Sequence, residues 1–244
     1  MRIALAAASV FLLCFGTASA EQTLVHDSFD RADADEKKDG PGGGWGTNSR
    51  SRAAGNKQVW LRDGAMYIER HPVADHGVSV THEAAFKDAV ITLRFKLPSE
   101  VKANGRKGGG DLGLNIADMN EKSVHAGHIC MARISPRRVE LVDLKTGNMR
   151  LDLRTKRQAG EPMSAEEKAL IASKKQTEQV KLQPDMWHDL KLTIEGETMT
   201  LVIDGDEVAA FASEGIGHAT KSRLRIAVNN AAWVDDVKIV RTDG

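Results

Sequence analysis

The sequence predicts an all-β fold, a sandwich of two antiparallel β-sheets. About eleven short segments alternate apolar and polar residues with a period of two, as strands with one buried face do. Turn sequences such as Asp63-Gly64 and Asp204-Gly205 separate most of these segments. This succession of short strands and turns favours two packed sheets over a helical or mixed architecture.

The alternation also predicts which residues form the core. In the most regular segments every second residue is apolar, so these side chains share one face of each strand and should meet between the sheets. They are Leu93, Phe95, Leu192, Ile194, Leu201, Ile203, Leu224, Ile226 and Val228. The polar residues between them are then expected on the outer faces.

Three segments between the regular strands carry separate predictions. Ser164 is followed three residues later by Glu167, the spacing of a capping box, and helix-forming residues come next, so we predict a helical insertion at about 164–179. Residues 101–110 are rich in glycine and lysine and predict a loop. Residues 148–154, NMRLDLR, alternate and predict a strand.

The N-terminus has the pattern of a secretory signal peptide. Residues 1–20 contain the basic Arg2, an apolar run and a small-residue end at Ala18-Ser19-Ala20. Cys14 leaves a lipoprotein as the alternative, although the preceding Leu13 is larger than a lipobox prefers. We therefore expect a secreted or periplasmic protein without a membrane span, in which residues 21–244 form one β-sandwich domain.

Charge and cysteine content narrow the class of partner. The 34 basic and 34 acidic residues balance, so nothing in the composition favours nucleic acid or a membrane surface. Removal of residues 1–20 would leave Cys130 as the only thiol. We therefore expect no internal disulfide and a buried Cys130 that fills space in the core.

Two C-terminal segments and the start of the mature chain resemble a known superfamily. WHDLKLTIEGETMTLVIDGDEVAAF (187–211) and ATKSRLRIAVNNAAWVDDVKIV (219–240) resemble the closing strands of concanavalin A-like jelly rolls, and DSFDRAD resembles their opening. Within that superfamily the chain most resembles the bacterial secreted 3-keto-disaccharide hydrolases, or 3-keto-glucoside lyases and hydratases. The resemblance implies a jelly roll that acts on a saccharide by elimination or hydration at a 3-keto sugar.

The glucanases of this fold use the strand motif Glu-x-Asp-x-x-Glu, which places a pair of carboxylates for a retaining mechanism. The present sequence lacks that motif. Glu140 and Asp143 are the nearest approximation, but a separation of three puts two side chains on opposite faces of a strand. We therefore do not expect a glucanase mechanism.

Histidines are the first candidate site residues, because five of the eight fall in two short segments. They are His71, His76, His82, His125 and His128. Neutral imidazole is a general base and a metal ligand near neutral pH, so three roles remain open: hydrogen bonding at strand edges, a substrate cleft, or a transition-metal site. We expect at least three of them to meet at a sheet rim, with His125 or His128 as the catalytic base and His76 and His82 contacting substrate.

A polar groove is the second candidate. Arg94, Asn115, Arg223 and Arg225 alternate with apolar residues, so all four should face outward. If they share the concave face, they can bind saccharide hydroxyls or carboxylates, and Arg223 can stabilise an enolate. The alternative is an ordinary solvated sheet surface.

Calcium is the third candidate. Hard oxygen ligands suit this ion, and two loops are rich in them. These are Asp30, Asp33, Asp35, Asp39, Asp118, Asn120 and Glu121. The resemblance to jelly rolls further implies a structural calcium between the N-terminal strand and an aspartate of the last strand, here Asp235. The alternative is a set of solvated acids.

Aromatic residues make up 5% of the chain, which argues against a broad polysaccharide platform. Trp187 and Trp233 open strands and are expected in the core, whereas Trp45 and Trp60 are expected to be freer. The sequence thus favours a small polar pocket in a saccharide-processing protein. A non-catalytic glycan-binding or cell-envelope module is the alternative, and a scaffold that binds protein through its helix and loops also stays open.

Overall fold

A computed structural model describes residues 21–101 and 109–243 of the chain. The signal peptide predicted at residues 1–20 and most of the loop predicted at 101–110 lie outside this part. The strands in it are β1 (Gln22–Asp27), β2 (Gly46–Thr47), β3 (Val59–Arg62), β4 (Ala65–Glu69), β5 (Val78–Phe86), β6 (Ala89–Lys96), β7 (Leu112–Ala117), β8 (His128–Ser135), β9 (Arg138–Asp143), β10 (Lys175–Gln179), β11 (Trp187–Glu195), β12 (Thr198–Ile203), β13 (Asp206–Ala212), β14 (Lys221–Val228) and β15 (Ala231–Arg241).

These strands form two antiparallel sheets. The eight-stranded sheet has the order β13-β12-β11-β6-β15-β4-β3, and β1 also pairs with β15. The seven-stranded sheet has the order β10-β9-β8-β7-β14-β5-β2. The predicted all-β sandwich is confirmed, and its two sheets form a jelly roll of the concanavalin A-like type.

The core lies between the sheets and contains every residue that the alternation assigned to it. Strand β6 shows the pattern most clearly, because buried and half-buried residues alternate along its whole length. Phe95 on β6 is fully buried, and so are Leu192 on β11 and Ile226 on β14. Cys130 is also buried in this core, where burial raises the pKa of its thiol to about 12 and keeps it neutral.

In the described part of the chain, three α-helices lie outside the sheets: α1 (Ser49–Arg52), α2 (Leu151–Gln158) and α3 (Ala165–Ser173). The capping box of α3 forms as predicted, because Ser164 Oγ accepts from the Glu167 amide and the Glu167 carboxylate accepts from the Ser164 amide. Within the described ranges, none of the helices has the length and apolar character needed to cross a membrane.

Two predictions of local structure were wrong. The helix predicted over 164–179 stops at Ser173, and the residues that follow form β10, which pairs with the edge of β9. The strand predicted over 148–154 is largely helix α2, with Leu153 as its buried residue. In both places a tertiary contact decided the structure: β9 had an open edge, and Leu153 had an apolar site to fill.

Replacement of Phe95 by alanine should destabilise the sandwich strongly. The side chain is fully buried against both sheets, so truncation removes apolar contacts and leaves a cavity, at a cost of about 3–5 kcal/mol in the free energy of unfolding. Thr92→Ala is the matched control, because Thr92 lies on the outer face of the same strand. Urea unfolding measures both, and equal losses would contradict the assignment of the core.

Candidate functional site

The structure brings two of the predicted histidines into one group on the outer face of the seven-stranded sheet. The rings of His125 and His128 lie with their centroids 6.0 Å apart. His128 is the first residue of β8, and Asn115 on β7 and Arg225 on β14 are directly paired in the same sheet. We call His125, His128, Asn115 and Arg225 the histidine site.

A tight turn sets the geometry of the two histidines. His125–Gly127 form a single turn of 3-10 helix in which Ala126 and Gly127 both have positive φ, 52° and 69°. At Gly127 a β-carbon would lie 2.1 Å from the carbonyl oxygen of Asp118, so only glycine fits. The turn reverses the chain just before β8 and presents both imidazoles on one side.

Asn115 fixes the tautomer of His128. The amide oxygen Oδ1 of Asn115 lies 2.9 Å from Nδ1 of His128. Because an amide oxygen only accepts, Nδ1 of the neutral ring carries the proton, and Nε2 is left with a lone pair. No hydrogen bond to Nε2 of His128 is formed within residues 21–101 and 109–243. His128 therefore offers an acceptor to a ligand.

Arg225 closes the site on its other side. One guanidinium nitrogen, Nη2, donates to the carbonyl oxygen of Ala126 at 2.7 Å, which ties β14 to the histidine turn. Met119 Sδ lies 3.2 Å from the same nitrogen. A guanidinium has five N–H groups in a fixed fork, so donors remain for a bound oxygen atom.

The electrostatic environment of the site is cationic. Burial, and after it the charges of Arg225, His125 and Arg154, lowers the pKa of His128 to about 3. The pKa of His125 is also lowered, first by burial and then by Arg154 and Arg225. Both rings are therefore neutral at pH 7, and the surroundings favour negative charge on a bound group.

His76 lies near the histidine site and affects it only through its charge. Its side chain is exposed, and its Nδ1 lies 3.2 Å from the carbonyl oxygen of Gly77. Its charge lowers the pKa of both His125 and His128, so it lies within electrostatic range. Two rings thus meet directly and a third lies near them.

The other two histidines lie elsewhere. His82 packs edge-on against Trp45, with ring centroids 5.0 Å apart, and both of its nitrogens lie within 3.1 Å of backbone carbonyl oxygens. His71 Nδ1 accepts from the amide of Val73 in a local turn. These two residues make the strand-edge and turn contacts of a structural role, and His82 does not reach the histidine site.

The predicted four-residue polar groove was wrong. Asn115, Arg223 and Arg225 share the outer face of the seven-stranded sheet, but Arg94 lies on β6, in the other sheet. Alternation shows that a residue faces outward but not which sheet carries it. Arg223 donates to Glu83 from Nε at 2.8 Å, so its charge is already paired. Arg225 is therefore the cation of the site.

A shallow pocket continues the site along the same face. Gly113 and Ala227 pair with each other two residues beyond Asn115 and Arg225, and with Met131, whose side chain packs over Gly113, they line a pocket of about 180 Å³. Arg133 and Glu140 line its far side, and Glu140 is within 3.4 Å of Arg133. The face thus combines a polar site with a groove beside it.

Sequence patterns gave no indication of Arg154. This residue contributes to the lowered pKa of both site histidines, yet it lies on α2, in the segment predicted as a strand. Its position depends on how α2 packs beside the sheet. Leu151 and Leu153 alternate with polar residues as they would in a strand. The sequence of this segment therefore did not distinguish a helix from a strand.

Several acids of the loops make contacts within the protein. Asp33 pairs with Lys57 at 2.6 Å, and Asp39 accepts from the backbone amides of Gln58 and Val59. These contacts use one oxygen of each carboxylate, and the other oxygen, Oδ1 of Asp33 and Oδ2 of Asp39, is buried without a hydrogen-bond partner among the described residues. Asp118 likewise accepts from other side chains, those of His218 and Thr220.

Asp235 is a poor fit for the implied calcium. Its carboxylate lies 3.4 Å from the guanidinium of Arg94, and burial raises its pKa. In the part of the chain that the structure describes, no three His, Cys, Asp or Glu side chains are grouped to hold a metal. Calcium needs six to eight oxygen ligands, so a site here would have to be built mainly from backbone carbonyls.

Two tryptophan predictions were wrong, in opposite directions. Trp45 was expected to be free, but it is buried in the core and donates from Nε1 to Asp27 at 2.8 Å. Trp187 and Trp233 were expected in the core, but both are half-buried on the outer face of the eight-stranded sheet. Both are paired with Lys96, which alternates with the core residues of β6, and this register places the two tryptophans on the outer face.

Comparisons with known proteins support the fold. No protein-family model matches the chain, and no curated protein matches it. A non-specific endo-β-1,3(4)-glucanase of family GH16, SCLam, is 12% identical with a TM-score of 0.59, and the match covers 92% of each chain. The laminarinase from Rhodothermus marinus is 12% identical with a TM-score of 0.56, over 92% of this chain and 99% of that one.

A third solved structure extends the same class. It is a GlcNAcα1-4Gal-releasing endo-β-galactosidase from Clostridium perfringens, 9% identical with a TM-score of 0.57, over 91% of this chain and 63% of that one. At these identities the likeness establishes the jelly-roll fold and leaves the activity to the site. The present chain has no Glu-x-Asp-x-x-Glu motif. Glu140 and Asp143 lie on opposite faces of β9, since Asp143 accepts from the buried Ser213.

The depressed pKa of His128 should appear in the pH dependence of stability. The unfolded chain takes up a proton here near pH 6.5, whereas the folded chain stays neutral until about pH 3. The unfolded state therefore binds more protons between these values, and the free energy of unfolding falls as pH drops through this window. His128→Gln should weaken that fall, measured by urea unfolding at pH 7 and about pH 4.5.

His71→Gln is the matched control for that measurement, because it removes a histidine from a local turn. It should leave the loss of stability on acidification close to that of the wild type. An unchanged pH dependence in His128→Gln would show that His128 is not held neutral by burial.

Calcium binding stays a prediction with a direct test. An ion that binds only the folded state raises the melting temperature, and above its Kd the stabilisation grows with the logarithm of the free ion concentration. Melting curves in calcium and in chelator should differ if Asp235 and neighbouring carbonyl oxygens hold the ion, and Asp235→Asn should abolish the difference. Identical curves for the wild type would contradict a calcium site.

Proposed function

We propose that the protein binds and processes a saccharide on the outer face of its seven-stranded sheet. The observation that supports this most is the histidine site, in which Asn115 orients a neutral His128 beside the guanidinium of Arg225. Sugar hydroxyls are both donors and acceptors. The Nε2 lone pair of His128 accepts from one hydroxyl, and the N–H groups of Arg225 donate to a neighbouring oxygen.

The pocket beside the site gives the saccharide room to extend. Gly113, Ala227 and Met131 form its floor, and Arg133 and Glu140 supply polar groups at its far end. Residues two apart along a strand lie roughly 7 Å apart, so one sugar ring at the histidine site and a second over this floor can be bound together. A disaccharide therefore suits the size of the face.

The chemical step that we propose is elimination at a 3-keto glycoside. His125 takes the proton from the carbon next to the ketone, and the electron pair of the broken C–H bond forms the enolate. Arg225 stabilises the charge on the enolate oxygen, and the glycosidic oxygen on the adjacent carbon then leaves with the bonding pair and gains a proton from water. Addition of water across the new double bond completes hydration.

The electrostatics of the site support this step. The arginines that lower the pKa of His125 also lower the energy of a negative charge placed among them. As the enolate forms, its charge offsets that of the guanidinium groups, so His125 becomes a stronger base during the reaction. A retaining glucanase step is not supported, because Glu83 and Glu140 on this face are paired with arginines and lie apart from the histidines.

A non-catalytic glycan-binding module is the second candidate, and one observation favours it. A base works best when its pKa lies near the working pH, and His128 has a pKa of about 3. His128 is therefore suited to accept a hydrogen bond rather than to remove a proton from carbon. If His125 behaves in the same way, the face binds sugar without turnover. In either case, export through the signal peptide predicted at residues 1–20 would place the protein where glycans are found.

Substitutions in the histidine site test the proposal. Arg225→Gln should lower turnover of a 3-keto disaccharide by about 100-fold, because it removes the group that stabilises the enolate. His125→Gln should lower it by a similar factor through loss of the base. Turnover and binding of the 3-keto disaccharide and of its ordinary parent are measured side by side, and melting temperature confirms folding.

His71→Gln serves as the control, since it removes a histidine that lies apart from the site. It should turn over and bind like the wild type. Binding without turnover in the wild type, lost in Arg225→Gln, would establish the glycan-binding alternative. Full turnover in both site variants, or a wild type that neither binds nor converts any saccharide offered, would overturn the proposal.

A further inference from the structure

A row of aromatic and basic side chains crosses the outer face of the eight-stranded sheet, away from the histidine site. Its members are directly paired from strand to strand: Trp60 with Tyr67, Tyr67 with Trp233, Trp233 with Lys96, and Lys96 with Trp187. We call these five residues the aromatic row. Since adjacent strands lie about 4.8 Å apart, the row is roughly 19 Å long.

The rings of the row pack against one another and against cations. Ring centroids of Trp60 and Tyr67 lie 5.7 Å apart, and those of Tyr67 and Trp233 lie 4.8 Å apart. The guanidinium of Arg62 lies 4.2 Å from the centroid of Tyr67, and the ammonium of Lys96 lies 4.5 Å from that of Trp233. These contacts hold both positive charges in fixed positions along the row.

The two cations are not neutralised by carboxylates of the same face. Within residues 21–101 and 109–243, neither Arg62 nor Lys96 has a hydrogen-bond or ion-pair partner, although Asp185 lies within electrostatic range of Lys96. The acids nearby are engaged elsewhere. Glu69 accepts from the hydroxyl of Tyr67 at 2.7 Å, and Asp235 faces Arg94.

Such an arrangement has more charge than packing alone requires. Side chains that only shield a sheet face from water need apolar area. A cation among them would be more stable in an ion pair than without a carboxylate partner. The row instead presents half-buried ring edges and faces beside unpaired N–H donors. Aromatic surface contacts the apolar faces of sugar rings, and fixed cations bind carboxylate or sulfate groups.

We propose that the aromatic row binds an acidic polysaccharide, one whose sugar rings carry carboxylate or sulfate groups. The chain would lie across the strands, with anionic groups at Arg62 and Lys96 and rings against Trp60 and Trp187. This second site is separate from the histidine site, because it lies on the opposite sheet. It would keep the protein on a polymer while the histidine site acts on a smaller saccharide.

Binding of defined polysaccharides to the full-length mature protein tests the proposal. Polygalacturonate supplies carboxylates, dextran sulfate supplies sulfates, and dextran is the uncharged comparison. At low salt the wild type should bind one or both anionic polymers and not dextran, and added salt should weaken binding. The double variant Arg62→Gln/Lys96→Gln should raise the Kd by roughly tenfold or more with an unchanged melting temperature.

Two matched variants distinguish the aromatic row from the rest of the protein surface. Lys191→Gln removes an exposed cation of the same sheet face outside the row, and it should bind like the wild type. Arg225→Gln should also bind the polymer normally, so failure of the proposed catalytic role leaves this test intact. Absence of binding to both anionic polymers, equal binding to dextran, or equal losses in Lys191→Gln and the double variant would overturn the proposal.

Discussion

Burial of alternating apolar side chains between two sheets is the constraint on which the rest of this structure depends. A strand in the sandwich has one face in the core, so the side chains between the core residues must face outward. Phe95 points into the core from one sheet, and Ile226 points into it from the other. Their chain neighbours Lys96 and Arg225 therefore lie on opposite surfaces of the molecule. The functional residues are therefore placed by the apolar residues beside them.

The two outer faces carry different chemistry as a result. The seven-stranded sheet presents the histidine site, where two half-buried neutral imidazoles lie beside Arg225. The eight-stranded sheet presents the aromatic row, where rings hold cations at its surface. We propose a small saccharide, oriented by hydrogen bonds, as the ligand of the first face and an extended anionic chain as the ligand of the second.

The turn at His125–Gly127 connects the fold to the site. Gly127 is required there because a side chain would collide with the backbone of Asp118, and Arg225 is tied to the same turn through Ala126. A change in this turn would move the base, the hydrogen-bond acceptor and the cation together. Position and electrostatics in the site are thus set by backbone contacts as much as by the side chains that face a ligand.

The sequence by itself determined the fold class, the core residues and the capping box at Ser164, because these depend on spacing along the chain. It also identified His125, His128 and Asn115 as candidates. Only the tertiary structure decided that Arg94 and Arg225 lie on opposite sheets and that residues 151–158 form a helix. Alternation indicates which side of a strand a residue occupies. Which residues meet depends on strand pairing, and also on the open strand edges and apolar sites that neighbouring elements leave.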